Sequence, residues 1–236
     1  MRPNTNEFLK TIRHSKPSYL LSLDDELIKP NYYILQLISD AILNIPGTNF
    51  DNLRERFDKK TFKWLNTWPG EHYKLLYQLM IVEQPNLILE IGTFKGASCL
   101  AMKQALLKYS QYGKIITYDI IPWNNIKGTH LRKEDFDKHL EQRVVDFSKL
   151  DQIKTQEEVF RRANFIFVDM AKDGVSEKLV CDFLDSLNFN LKNGPYVIFD
   201  DIKFVSMLKF WREIKHPKMD ITSLGHWSGT GIVHWV

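Results

Sequence analysis

The chain has 236 residues, 44% of them hydrophobic and 13% aromatic, which is enough to bury one large core. Its 32 basic and 29 acidic residues nearly balance, so the net charge of +3 provides no basic surface that would favour nucleic acid or an anionic membrane as a partner. We therefore expect one α/β domain with an appendage, acting on a small molecule.

The first residues and the cysteines indicate a cytoplasmic protein. Residues 1–5 carry no apolar core of a signal peptide, and no run in the sequence approaches the roughly 18 apolar residues that a membrane span requires. Cys99 and Cys181 stand far apart in apolar helical patterns, which favours buried free thiols in a reducing compartment over a disulfide.

Residues 1–66 predict a helical N-terminal extension ahead of a main domain at 67–236. Apolar side chains recur at helical spacing over 32–43 and, more weakly, over 52–64. The extension either packs on a sheet edge or covers a ligand site, and its composition leaves both interpretations open. Another helix with an apolar stripe follows over 71–82.

A glycine loop then predicts a cofactor site. An apolar run at 87–89 leads into Glu90, and two glycines four residues apart, Gly92 and Gly96, precede a helical pattern. This is typical of a strand, a tight turn and a helix whose backbone comes close to a ligand. A dinucleotide fingerprint would need a third glycine where Phe94 stands, which disfavours NAD.

The next predicted strand, 114–119, ends on Asp119. An acid at that position can accept hydrogen bonds from both ribose hydroxyls of a nucleoside. Residues 121–136, rich in Pro, Asn, Gly and charge, predict an insertion before a third strand and its exit loop at 142–148.

Two further apolar strands end in acids. The first delivers Asp169 and Lys172, and the second delivers Asp200 and Asp201, at the strand ends where open α/β sheets bind ligands. Three carboxylates at one place need either a cation or raised pKa values, and a divalent ion is the simpler solution.

The last stretches, 219–224 and 231–236, predict an antiparallel hairpin that closes the sheet. His226 and His234 lie in it. Each is interpreted either as a catalytic base or as a histidine held by hydrogen bonds alone.

The glycine loop resembles motif I of class I S-adenosylmethionine (SAM) dependent methyltransferases. Residues 90–98 are similar to the corresponding loop of catechol and caffeoyl-CoA O-methyltransferases. These metal-dependent enzymes carry Asp-x-x-Lys-Asp after the fourth strand, matched here by Asp169, Lys172 and Asp173. They carry Asp-Asn after the fifth strand, where this chain has two aspartates. The overall pattern also resembles an uncharacterised bacterial branch of the same superfamily.

This resemblance implies a Rossmann-like α/β domain, doubly wound around a mostly parallel seven-stranded sheet. The residues that it implies for SAM binding are Glu90, Gly92, Thr93, Phe94, Gly96, Ser98, Asp119, Asp146, Phe147 and Asp169. It implies Mg²⁺ at Asp169, Asp200 and Asp201, and catalysis by Asp169 and Lys172, with Lys172 taking the acceptor's proton.

The function that we expect is SAM-dependent methyl transfer to a hydroxyl of a small-molecule acceptor, assisted by a divalent metal. One alternative is a metal-independent SAM methyltransferase on another small acceptor, in which the carboxylates act as base and hydrogen-bond acceptors. Another is a SAM-binding protein without turnover. No nucleic-acid or membrane partner is expected, and a homodimer is an assembly that the sequence leaves open.

Overall fold

The computed structural model describes residues 28–236, so the part of the predicted extension at 1–27 lies outside the described residues. One sheet of seven strands forms the centre of the molecule: β1 (Leu87–Ile91), β2 (Lys114–Asp119), β3 (Leu140–Val144), β4 (Phe165–Val168), β5 (Tyr196–Asp200), β6 (Lys218–Asp220) and β7 (Thr230–His234). Their order across the sheet is β3-β2-β1-β4-β5-β7-β6. Strands β1 to β5 are parallel, and β7 pairs antiparallel with β5 and β6. The predicted mostly parallel seven-stranded sheet is therefore confirmed.

The helices that surround the sheet are α1 (Tyr32–Asn44), α2 (Lys59–Asn66), α3 (Tyr73–Glu83), α4 (Ala97–Tyr109), α5 (Leu150–Lys154), α6 (Glu157–Arg162), α7 (Val175–Ser186) and α8 (Val205–Glu213). The helix expected over 52–64 is two pieces, a 3₁₀ turn at Asp51–Arg56 and then α2. Asp58 causes the break, because its carboxylate accepts the backbone N–H groups of Lys60 at 2.9 Å and Thr61 at 3.1 Å and so starts a new helix.

Both faces of the sheet are buried, each in its own hydrophobic core. Successive residues of a strand point to opposite faces, so Ile88 packs with α1, α3 and α4, whereas Leu89 packs with α6, α7 and α8. This double covering confirms the doubly wound fold. The described helices of the extension belong to the first core and are continuous with the sheet.

Cys99 and Cys181 are buried and unbridged, as expected. Within residues 28–236, no helix is both long and apolar enough to cross a membrane.

Candidate active site

A cavity of about 620 Å³ opens at the carboxyl ends of β1, β2 and β4, a volume in the range of small-molecule sites. The predicted site residues that line it are Gly92, Phe94, Asp119, Asp146, Phe147, Asp169 and Lys172. The cavity wall also has apolar surface, which comes from Tyr118, Ile120, Val145 and Met170. The other residues implied for SAM binding do not line this cavity: Glu90, Thr93, Gly96 and Ser98.

Gly92 lets the end of β1 approach the end of β4. Its φ is +110°, and a Cβ placed there would lie 1.9 Å from the backbone oxygen of Asp169. Its N–H and that of Thr93 both donate to the carbonyl of Tyr118, at 2.8 and 2.9 Å. Any side chain at this position would force the two strand ends apart, so glycine is required by the strand geometry itself.

Glu90 is fully buried beneath the loop. Its two carboxylate oxygens accept hydrogen bonds from Ser98 and Thr117, each at 2.5 Å, and Thr117 also bonds the hydroxyl of Thr93 at 2.7 Å. Burial raises the pKa of Glu90 to about 7, and these hydrogen bonds oppose the rise. Glu90, Thr93 and Ser98 thus support the loop from inside the protein.

Gly96 has a role that the sequence did not predict. Its φ is +83°, and a Cβ there would meet the side chain of Leu131 at 2.4 Å. Leu131 belongs to the 121–136 insertion and is buried. The close neighbour of a side chain at Gly96 is therefore this leucine, which packs the insertion onto the start of α4.

Asp119 is placed at the cavity as predicted, and it also shapes the loop. One carboxylate oxygen accepts the N–H of Phe94 at 2.9 Å, and the other accepts the N–H of Ile121 at 3.1 Å. Each oxygen keeps a lone pair for a ligand hydroxyl.

Asp146 and Phe147 form the far wall of the cavity. Asp146 accepts the N–H and the hydroxyl of Ser148, at 3.0 and 2.6 Å, and lies 3.1 Å from the ammonium of Lys149. The Phe147 ring is buried against Tyr118, with ring centroids 5.0 Å apart. Asp146 therefore stabilises its own turn in addition to lining the cavity.

The three predicted carboxylates come together. Asp169, Asp200 and Asp201 each offer an oxygen, and these three atoms lie within 4.8 Å of one another. Asp200 and Asp201 are buried, whereas 26% of the Asp169 side chain is exposed. The nearby Lys203 pairs with Asp220.

Lys172 lies among these carboxylates as a counter-ion. Its ammonium is 3.1 Å from Asp169 and contacts Asp201 directly. Burial alone would lower the pKa of Lys172, but the charges of Asp169 and Asp201 outweigh burial and raise it. Burial, and then the negative charge of Asp200, raise the pKa of Asp169, although Lys172 opposes this rise.

Backbone strain concentrates at the same place. Among residues 28–236, three of the five non-glycine residues with positive φ are Phe94 (41°), Lys172 (59°) and Asp201 (59°). A bulky residue in this region costs energy and persists only where the surroundings impose it, and such residues cluster at functional sites.

Sequence reasoning missed a histidine at the end of β5. His72 is 4% exposed, and its Nδ1 lies 3.5 Å from Oδ1 of Asp200. Nδ1 of His226 lies 3.4 Å from the same oxygen and 2.6 Å from the hydroxyl of Ser228, which also contacts Asp201. Burial alone would lower the pKa of His226, but Asp200 and Asp201 raise it to about 10.

His72 reaches Asp200 because the chain before α3 lies along the β6–β7 connection. Gly70 pairs with His226 as an isolated β-bridge, and the indole of Trp68 donates to the carbonyl of Leu224 at 2.8 Å. No spacing rule connects His72 with residues more than a hundred positions later. His234, the other histidine considered from sequence, lies within β7, where it contacts Asn31 at 2.9 Å.

The comparisons with known proteins agree with this architecture. Residues 47–205 match the model of the family described as O-methyltransferase. The SAH-bound methyltransferase PaMTH1 of Podospora anserina is 13% identical, with a TM-score of 0.53, over 100% of this chain and 97% of that chain. An O-methyltransferase from Bacillus cereus in complex with SAH is 17% identical, with a TM-score of 0.50, over 89% and 94%. A methyltransferase from Geobacter sulfurreducens is 16% identical, with a TM-score of 0.50, over 82% and 88%. At these identities the structures support the fold alone, and curated protein sequences give no match.

Proposed function

The chain belongs to the O-methyltransferase family, and from this premise we propose that it transfers a methyl group from SAM to a hydroxyl group of a small-molecule acceptor. The observation that carries the proposal is the single cavity wall that joins Asp119 and the glycine loop to Asp169 and Lys172. A nucleoside and a reacting hydroxyl can be bound side by side along such a wall.

We assign the nucleoside to the half of the cavity between β1, β2 and β3. The free lone pairs of Asp119 suit the two ribose hydroxyls, and Asp146 with the Phe147 segment suits the adenine. Gly92 allows close approach of the backbone, and Phe94 covers the outer side with 67% of its surface exposed.

We assign the acceptor to the end of the cavity lined by Asp169 and Lys172, beside the buried Asp200 and Asp201. Two exposed aromatic side chains border it: Phe204, whose ring lies 5.9 Å from the ammonium of Lys172, and Trp227, whose ring lies 5.5 Å from that of His226. Exposed aromatic surface beside a polar centre suits a hydroxyl carried on an apolar or aromatic body.

In the proposed reaction, the acceptor hydroxyl gives its proton to Asp169 while its oxygen attacks the methyl carbon of SAM. The carbon–sulfur bond breaks, and the bonding electrons leave with the sulfur of the demethylated product. Without a bound ion, burial and the charge of Asp200 raise the pKa of Asp169, and Asp169 is the one of the three aspartates that lines the cavity, so it is placed to accept this proton.

For Lys172 we propose a role different from the expected one of proton acceptor. Because the charges of Asp169 and Asp201 raise its pKa, Lys172 carries its own proton near neutral pH. In the proposal, Lys172 is a fixed positive charge that holds Asp169 and Asp201 in place and stabilises the developing negative charge on the acceptor oxygen.

The three aspartates fit a divalent cation by donor type and by geometry. Their oxygens lie within 4.8 Å of one another, and the side chains of Asp200 and Asp201 are buried, where negative charge needs a nearby cation. Oxygen donors of this kind are what Mg²⁺ prefers. Bound by Asp169, Asp200 and Asp201, Mg²⁺ would act as a Lewis acid that lowers the pKa of the acceptor hydroxyl.

Metal binding can be tested without an acceptor. Lys172→Met removes the ammonium that neutralises Asp169 and Asp201, so Mg²⁺ should raise the Tm of this variant more than that of the wild type. Lys203→Met is the matched control, since Lys203 pairs with Asp220. Equal shifts in all three proteins would remove Mg²⁺ from this site.

The function is tested by calorimetry with SAM, followed by single-turnover methyl transfer from labelled SAM to a panel of phenols, other alcohols and amines, with and without EDTA. We expect SAM binding, and transfer to a hydroxyl that EDTA abolishes. Transfer that survives EDTA would support the metal-independent alternative. SAM binding without transfer to any acceptor would support the alternative without turnover, and absence of SAM binding would overturn the proposal.

A further inference from the structure

A second group of metal-ligating side chains lies beside the three aspartates. We propose that His72, Asp200 and His226 bind one transition-metal ion of the Zn²⁺ type. The group consists of two imidazoles and one carboxylate, and one ligand atom from each residue lies within 4.8 Å of the others. This inference does not depend on methyl transfer.

The distances match those that a tetrahedral ion imposes. Zinc lies about 2.0–2.2 Å from nitrogen and oxygen ligands, so two ligand atoms of one tetrahedron are about 3.3–3.5 Å apart. Oδ1 of Asp200 lies 3.5 Å from Nδ1 of His72 and 3.4 Å from Nδ1 of His226. Both separations exceed ordinary hydrogen-bond distances and agree with this spacing.

The hydrogen-bond inventory also leaves room for a ligand. Three atoms make no hydrogen bond among residues 28–236: the two ring nitrogens of His72 and Oδ1 of Asp200. Both side chains are almost fully buried. Buried polar atoms are nearly always satisfied in folded proteins, because leaving them unpaired costs free energy. An ion between Nδ1 of His72 and Oδ1 of Asp200 would satisfy both atoms.

The donor set separates this ion from Mg²⁺. Imidazole nitrogen suits Zn²⁺ and its neighbours in the transition series, whereas Mg²⁺ selects oxygen ligands and retained waters. Asp200 belongs to both groups. A carboxylate has two oxygens, so use of Oδ1 by the histidine site leaves the other oxygen for the three-aspartate group.

The competing explanation is a charged cluster without metal, in which a protonated His226 is paired with acids. Its Nδ1 lies 2.6 Å from the hydroxyl of Ser228, and its Nε2 lies 3.7 Å from Glu71. Because the Ser228 hydroxyl already donates its proton to Asp201, Nδ1 of His226 is the donor in its contact with Ser228, and metal binding through Nδ1 requires loss of that proton. In this explanation Nδ1 of His72 reaches Asp200 only at 3.5 Å, and its Nε2 has no hydrogen-bond partner among the described residues.

An ion at this place would join two distant parts of the chain over the end of β5. His72 directly precedes α3, and His226 lies in the connection between β6 and β7. These segments already meet through two backbone hydrogen bonds, from Gly70 to the carbonyl of Gly225 at 3.1 Å and from Trp227 to the carbonyl of Gly70 at 3.2 Å. The ion would hold these two segments together at the edge of the proposed acceptor site.

Cobalt(II) is a suitable probe because its visible absorption is strong in a tetrahedral site with nitrogen ligands and weak in an octahedral oxygen site. Metal-free wild-type protein is titrated with Co²⁺ in the presence of excess Mg²⁺. We expect one equivalent to bind with the intense spectrum. His72→Gln and His226→Gln should each weaken binding by at least about 10-fold and remove the intense bands, since loss of even a supporting residue costs a metal site that much.

Two controls locate the ion. His216→Gln alters a histidine–carboxylate pair beside the start of β5, at the opposite end of the strand from Asp200, with His216 Nε2 2.7 Å from Asp185, and Asp169→Asn alters the three-aspartate group without removing a ligand of the histidine site. Both variants should keep the wild-type spectrum and affinity. The proposal is overturned if Co²⁺ does not bind stoichiometrically, or if its spectrum responds to Asp169→Asn and not to the histidines. His226, with 18% of its side chain exposed, gives a variant that should fold even if the buried His72 variant does not.

Discussion

Replacing Asp119 with alanine is expected to weaken SAM binding by about 1–3 kcal/mol, which is roughly 5- to 150-fold in Kd. The carboxylate already accepts the N–H groups of Phe94 and Ile121, one on each oxygen, so its orientation is fixed before any ligand arrives. Two ribose hydroxyls would add two charge-assisted hydrogen bonds. Because Asp119 remains partly exposed, water replaces part of each bond and the loss stays within this range.

The assay is isothermal titration calorimetry of SAM against wild type, Asp119→Ala and Asp58→Ala. Asp58 is the matched control because it also accepts two backbone N–H groups, yet it lies at the start of α2 away from the cavity. Its replacement should lower the Tm without changing the Kd for SAM. An unchanged Kd in folded Asp119→Ala would remove Asp119 from the ribose site and refute the assignment of the cavity halves.

Three further predictions concern stability and turnover. Gly92→Ala should lower the free energy of unfolding by about 3 kcal/mol or more, because its Cβ would lie 1.9 Å from a backbone oxygen. Gly47→Ala is the control: a Cβ there has no neighbour within 4 Å, so the free energy should change by less than about 0.5 kcal/mol. Urea unfolding measures both. Gly96→Ala should lower the Tm, and adding Leu131→Ala should recover part of the loss; no recovery would argue against their contact. Lys172→Met should reduce kcat far more than it changes the Kd for SAM, and equal effects on both would make Lys172 a binding residue.

The strand ends could be predicted from the sequence because local signals coincide with tertiary position there. A short apolar run that ends in an acid marks both a buried parallel strand and the edge where ligands bind, and this places Asp119, Asp169 and Asp200 correctly at one edge of the sheet. The third strand begins at Leu140, two residues before the predicted segment, and Asp146 lies in the exit loop beyond Val144, as predicted.

Contacts between distant segments could not be predicted in this way. Gly96 resembles a ligand-binding glycine in sequence, but its neighbour is Leu131, which an insertion of irregular composition brings back over the loop. His72 carries no motif, and its position depends on how the segment before α3 pairs with the β6–β7 connection. The charge on Lys172 depends on the carboxylates of two different strand ends.

Because α1, α3 and the sheet share one hydrophobic core, the helical segment and the sheet are not separable units. Arg56 donates to a carboxylate oxygen of the buried Asp135 at 2.7 Å, so the helical segment also supplies the counter-charge for an acid in the 121–136 insertion. A cut at residue 66 would uncover apolar surface and leave that acid without its guanidinium partner. The stretch 67–236 is therefore a poor unit for gene fusion or domain exchange, and recombination should preserve the helices and the sheet together.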